Sequence, residues 1–151
     1  MTQILLQGGN VLDPVRGALL PRHDVLIDGD RIVDVSATPI HAPQARTIDA
    51  TGKTVMPGLI DLHVHVLASL ANLGLNAVQP NVLVAFRAMP IMRGMLERGF
   101  TTVRDAGGAD WGLSQAVATG LIPGPRIFPS GKALSQTGGH GDFRPRSDTL
   151  E

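Results

Sequence analysis

The chain has 151 residues, 43% of them hydrophobic, which is enough to bury a core of its own. Thirteen Lys and Arg balance thirteen Asp and Glu, so no long-range field recruits nucleic acid or an acidic membrane surface. With no cysteine there is no disulfide framework, thiolate metal site or cysteine nucleophile, and any metal must be held by His, carboxylate or modified Lys.

Met1-Thr2-Gln3 lacks a basic leader region and the apolar run Ile4–Leu6 is far too short for a signal core or a membrane span, so a cytoplasmic location is expected. Eighteen glycines and eleven prolines predict many short elements joined by turns. Residues 3–7 read as a strand entering a turn at Gly8-Gly9, and Asn10–Leu12 resumes it before Asp13-Pro14. Val25-Leu26-Ile27 and Arg31–Val35 flank Asp28-Gly29-Asp30, a strong hairpin signal. With Thr47–Asp49 and Thr54–Met56 as further short strands, residues 1–54 are expected to form a small antiparallel sheet domain.

From Pro57-Gly58 the pattern changes to strand 59–66, helix 81–98, strand 100–105, helix 111–119 and strand 126–130. Such alternation predicts a parallel sheet of right-handed βαβ units over residues 55–151. In the long helix Val82, Phe86, Met89, Met92 and Leu96 recur at spacings of three and four, an apolar stripe expected to face the sheet. Gly99 suits the left-handed position beyond the helix end, and Pro90 should kink the helix.

The chemistry concentrates in the strand Leu59-Ile60-Asp61-Leu62-His63-Val64-His65-Val66. Regular alternation puts Asp61, His63 and His65 on one face. Side chains two apart start about 6.6 Å from each other and can lean onto one ion, each nitrogen ~2.0–2.1 Å away. A buried parallel strand is normally apolar on both faces, so an acid and two histidines on one of them call for compensation, and a cation supplies it. Taken alone, a His-x-His pair on an exposed edge strand could equally be solvated.

The surrounding residues decide between these. Val55-Met56-Pro57-Gly58-Leu59-Ile60-Asp61-Leu62-His63-Val64-His65 closely resembles the first-barrel-strand signature of the amidohydrolase superfamily, and Ile48–Lys53 resembles the usual approach to it. Arg98–Gly108 and Ala133–Asp142 are similar to the branch holding imidazolonepropionase-like enzymes and metal-dependent prolidases, most of all the prolidase-like dipeptidases. The resemblance implies a TIM (β/α)8 barrel beside a small β-sandwich domain, with one or two divalent ions, zinc foremost, at the carboxyl ends of the strands. His63 and His65 are the metal ligands it carries over. A carboxylated lysine, two further histidines and a last-strand aspartate belong to the same pattern but have no counterpart here, and Lys132, near the third strand rather than the fourth, is not promoted. A barrel needs roughly 250 residues, so the expectation is a truncated chain with the first three β/α units, neither a stable monomer nor active on its own.

His140, on the glycine-rich segment after the third barrel strand, is the candidate substrate-side catalytic residue, reaching a carbonyl or carboxylate; otherwise it is a surface histidine in a flexible loop. Asp105 ends the second barrel strand and either hydrogen-bonds a ligand imidazole or pairs with an arginine as scaffold; for Asp61, deeper in its strand, a structural hydrogen bond is favoured over ligation. His23 and His41 fall in the sheet domain and stay outside the site. The expected activity is metal-dependent hydrolysis of a C–N bond by activated water. A dipeptide is the first substrate and a cyclic amide of the imidazolonepropionate kind the second, with a homo-oligomer expected at full length and neither nucleic acid nor membrane as partner. The rival reading is a non-catalytic metal-binding or structural β/α protein.

Overall fold

The computed structural model describes residues 3–143. The chain divides into two compact units, one up to Pro57 and one from Gly58, and together they make a mixed α/β protein.

The first unit is a five-stranded sheet of β1 (Gln3–Asp13), β2 (Ala18–Asp28), β3 (Arg31–Ser36), β4 (Arg46–Asp49) and β5 (Thr54–Val55). The order is β3-β2-β1-β4, with β5 also pairing β1. The β2–β3 hairpin turns at Gly29, whose φ of 61° is free only to glycine, as the Asp-Gly signal predicts. Two expectations are corrected. β4 and β5 run parallel to β1, so the sheet is mixed. Gly8-Gly9 is no turn but a bulge within one eleven-residue strand, Gly8 at φ 71° absorbing the register shift against β2. The buried Asp24 carboxylate secures this bulge, accepting from Gly8 N at 2.9 Å and Ile40 N at 3.0 Å.

Asp49 closes β4 with a tight turn, and its carboxyl is held below its ordinary 3.8 first by the Thr51 side chain, then by Thr51 N at 2.8 Å and by Lys53. A depressed folded-state pKa stabilises above the unfolded value, and the contribution is lost as pH falls through the folded one. Asp49→Asn should therefore shift the urea midpoint slightly at pH 7 and leave it unchanged near pH 2, both read from urea unfolding curves.

The second unit is a parallel sheet in the order β6 (Leu59–Val64), β7 (Phe100–Asp105), β8 (Arg126–Pro129). Helix α1 (Leu73–Ala77) and then α2 (Asn81–Glu97) cross from β6 to β7, and α3 (Trp111–Ala118) crosses from β7 to β8. α1 was not anticipated: Asn72 caps it, accepting from Leu75 N at 3.0 Å, and such a single-turn helix leaves no periodicity to read. α3 begins where Asp110 accepts from Leu113 N at 3.0 Å. Gly99, at φ 90°, terminates α2, which runs through an exposed Pro90 without interruption.

The core is Val66, Ala88, Met92, Val103, Ala109 and Ile127. The helical stripe differs from the expected one, because α2 buries Val84, Ala88 and Met92, while Val82 and Phe86 stay 67% and 65% exposed. The small Ala88 lets the helix come down close to the sheet on that line, a choice that periodicity in apolar size does not reveal.

Candidate metal centre

The site lies where β6 ends. Its pairing with β7 is interrupted: Asp61 registers with Val103 and Val64 with Asp105, so three steps on β6 match two on β7. This is a bulge at Leu62-His63. Register partners in a parallel sheet point to one side, and Val103 and Asp105 are both fully buried. Asp61 and Val64 therefore turn toward α2, lining a small cavity with Met95, Arg98, Phe100 and Val103. Asp61 does not share the histidines' face, and regular alternation fails because the bulge resets it.

Two side chains hold the bulge. Asp61 Oδ1 accepts from His63 N at 3.0 Å, and Arg104 Nε donates at 2.8 Å to Leu62 O. His63 and His65 emerge exposed beyond it, with ring centroids 5.3 Å apart and planes at 77°. Two imidazoles bound to one tetrahedral ion through nitrogens ~2.0–2.1 Å away have centroids about 5 Å apart. The pair fits that chemistry.

The protonation of His65 follows from its partner. Nδ1 lies 2.8 Å from Gly107 O, and a carbonyl only accepts, so Nδ1 carries the hydrogen, and in the neutral ring Nε2 is then the nitrogen with the lone pair. Gly107 belongs to the turn after β7, which is tied to the segment following β8 through Gly108 N to Gly131 O at 2.7 Å and Gly131 N to Ala109 O at 3.0 Å. A Cβ on Gly107 would sit 2.7 Å from Ala133 Cβ. Gly107→Ala should accordingly push this turn away, costing about 1–3 kcal/mol of stability by urea unfolding, as overpacking does.

Among the described residues, Asp105 makes no bond to an imidazole or an arginine. Its carboxylate accepts from the backbone N–H groups of Val66 at 2.7 Å, Gly107 at 2.9 Å and Ala109 at 3.1 Å. Both expected partners are thus replaced by main chain, and the group that reaches a histidine ring is Gly107 O, which no side-chain pattern could have flagged. Asn76 was also missed: it clamps the loop after His65, accepting from Ser69 N and Ser69 Oγ and donating to Leu67 O. His140 is exposed in a turn after β8, next to Gly139 N to Gln136 O at 2.9 Å. Among the described residues no third His, Cys, Asp or Glu gathers with the pair into a metal-holding group, and no helix is long and apolar enough to cross a membrane.

The sequence model of the amidohydrolase family matches residues 54–151. The chain belongs to this family. Its structure is similar to a prolidase crystallised with N-methylphosphonate-L-proline, with 70% identity and a TM-score of 0.90 over 99% of this chain and 37% of that one. A Xaa-Pro dipeptidase with methionine in its active site is 30% identical, with a TM-score of 0.78 over 93% of this chain and 36% of that one. The dihydroorotase of Streptococcus thermophilus (strain CNRZ 1066) is 48% identical over 62 residues, 41% of this chain and 14% of that protein. The amidohydrolase chain thus resembles the family's prolidase-like branch and spans little more than a third of the length of these structures.

Proposed function

We propose that this amidohydrolase is a metal-dependent hydrolase of C–N bonds, that its first substrates are dipeptides, and that His63 and His65 are two ligands of a divalent cation, zinc foremost. The observation that carries the reading is the pair of exposed imidazoles at one strand end, spaced for one ion, with His65 Nδ1 engaged by Gly107 O so that Nε2 is the nitrogen available to a cation. In the same reading residues 1–54 belong to a small β-sandwich domain, and residues 55–151 supply the first three β/α units of a (β/α)8 barrel. The remaining ligands and the proton-handling group then come from outside the described residues.

When bound, such a cation polarises a carbonyl and brings the pKa of water toward ~7. The chain's own contribution is placement. The Asp61 and Arg104 bonds hold the bulge that turns out His63, and Gly107 O fixes the tautomer and rotation of His65. His140, on its turn after β8, is assigned to the substrate side, donating to a carbonyl or carboxylate. In the whole enzyme His140→Ala should leave metal content intact and lower kcat/KM by about 10²-fold, the scale of losing one positioned group. Metal analysis alongside steady-state kinetics checks it, and loss of metal would make His140 a ligand.

A second substrate class is kept because curated relatives are dihydroorotases. A panel of Xaa-Pro and other dipeptides, imidazolonepropionate and dihydroorotate, assayed with added zinc and with chelator, separates the readings. Zinc-dependent dipeptide cleavage is expected. Turnover of the cyclic amides alone would move the assignment to them, and no turnover of any would favour a non-catalytic role.

A further inference from the structure

We propose that Asp105 is the positioning residue of His65, acting through the Gly107 peptide to hold the imidazole in its Nδ1–H form with Nε2 free; this rests on reading His65 as a metal ligand. Asp105 is fully buried and is the point where the two halves of the His65 arrangement meet. On one side its Oδ2 takes Val66 N at 2.7 Å, the peptide immediately after His65. On the other its Oδ1 takes both Gly107 N at 2.9 Å and Ala109 N at 3.1 Å, the groups flanking the Gly107–Gly108 peptide. That peptide is also gripped at its own N–H, since Gly108 N donates to Gly131 O at 2.7 Å. In a trans peptide the N–H and C=O point opposite ways. With the N–H committed toward Gly131, Gly107 O is aimed away from it, and there it meets His65 Nδ1 at 2.8 Å. Gly108 adopts φ 124°, a conformation that other residues rarely take, so the turn is built for this orientation.

The charge is part of the device. A buried carboxylate is retained at a cost unless it accepts several hydrogen bonds, and three N–H groups converge on this one. An amide in its place turns a donor toward at least one of those donors. Asp24 supplies the comparison: it too is buried and accepts two backbone N–H groups, from Gly8 and Ile40, but those groups serve no metal-pair histidine.

The test is the tautomer of His65 in metal-free, 15N-histidine-labelled protein, read from long-range 1H–15N correlations with the ring neutral. The wild type should show His65 as Nδ1–H only. Asp105→Asn should give a mixture with Nε2–H and weaken zinc binding 10–100-fold, the range for a lost outer partner. Asp24→Asn should lose urea stability while leaving the His65 tautomer and zinc affinity at wild-type values. Gly108→Ala strains the same peptide without touching the carboxylate, and should also release the tautomer, so the proposal stays testable if Asp105→Asn does not fold. An Nε2–H His65 in the wild type overturns it, as does a folded Asp105→Asn or Gly108→Ala that keeps pure Nδ1–H. An Asp24→Asn variant that disturbs His65 equally would reduce the effect to general destabilisation and overturn it too. Because the tautomer is read without metal, failure of the metal reading shows separately, as zinc binding that is absent or indifferent to His63 and His65.

Discussion

Alanine at His63 or at His65 is expected to strip most of the bound metal from the whole enzyme and to abolish nearly all hydrolysis. Each ring offers a nitrogen directly to the ion in this account, and among the described residues no third His, Cys, Asp or Glu gathers with the pair to take over. The loss should exceed the roughly 10–100-fold that removing an outer partner costs. Metal content by elemental analysis and kcat/KM on a dipeptide, measured together, give the result. His41→Ala, an exposed histidine of the first unit, serves as the control and should change neither. Wild-type metal content in both alanine variants at the site would remove the ligand assignment.

Met92→Ala is expected to cost about 2–5 kcal/mol, the range for emptying a fully buried Met site. Met92 is wholly enclosed in the cluster with Val66, Ala88, Val103, Ala109 and Ile127. The same core backs Val66, the residue next to His65, so the cavity opens beneath the strand end that presents the site. Phe86→Ala removes a larger side chain that is 65% exposed, and should cost well under half as much. Urea unfolding of the two variants compares the observed buried line of α2 with the stripe that periodicity suggested. A larger loss at Phe86 than at Met92 would restore the latter.

The contrast shows what this sequence makes legible. β7, both long helices and the β2–β3 hairpin are readable because their signals are local: a β-branched run, a glycine at a left-handed terminus, an Asp-Gly turn. The parallel pairing of β4 and β5 with β1 is not local. It depends on which edge of β1 is free, and short strands carry no mark of direction. The candidate site divides the same way. Two histidines two residues apart, in a run resembling a known strand signature, make His63 and His65 candidate ligands without coordinates. The bulge that separates Asp61 from them leaves the apolar alternation almost intact and appears only in the register against β7. Asp105 is recognisable as a strand-end acid, but its partners are main-chain N–H groups, and the atom that touches His65 is a glycine carbonyl. Side-chain chemistry is written in the sequence; the peptide that orients it is written in the turn.

The most direct test of the account is where the metal sits. Anomalous diffraction at the zinc edge from crystals of the whole enzyme should place a peak ~2.0–2.1 Å from His65 Nε2 and at the same distance from one ring nitrogen of His63. A zinc-loaded, active enzyme whose anomalous peaks all lie beyond bonding distance of both rings would contradict it.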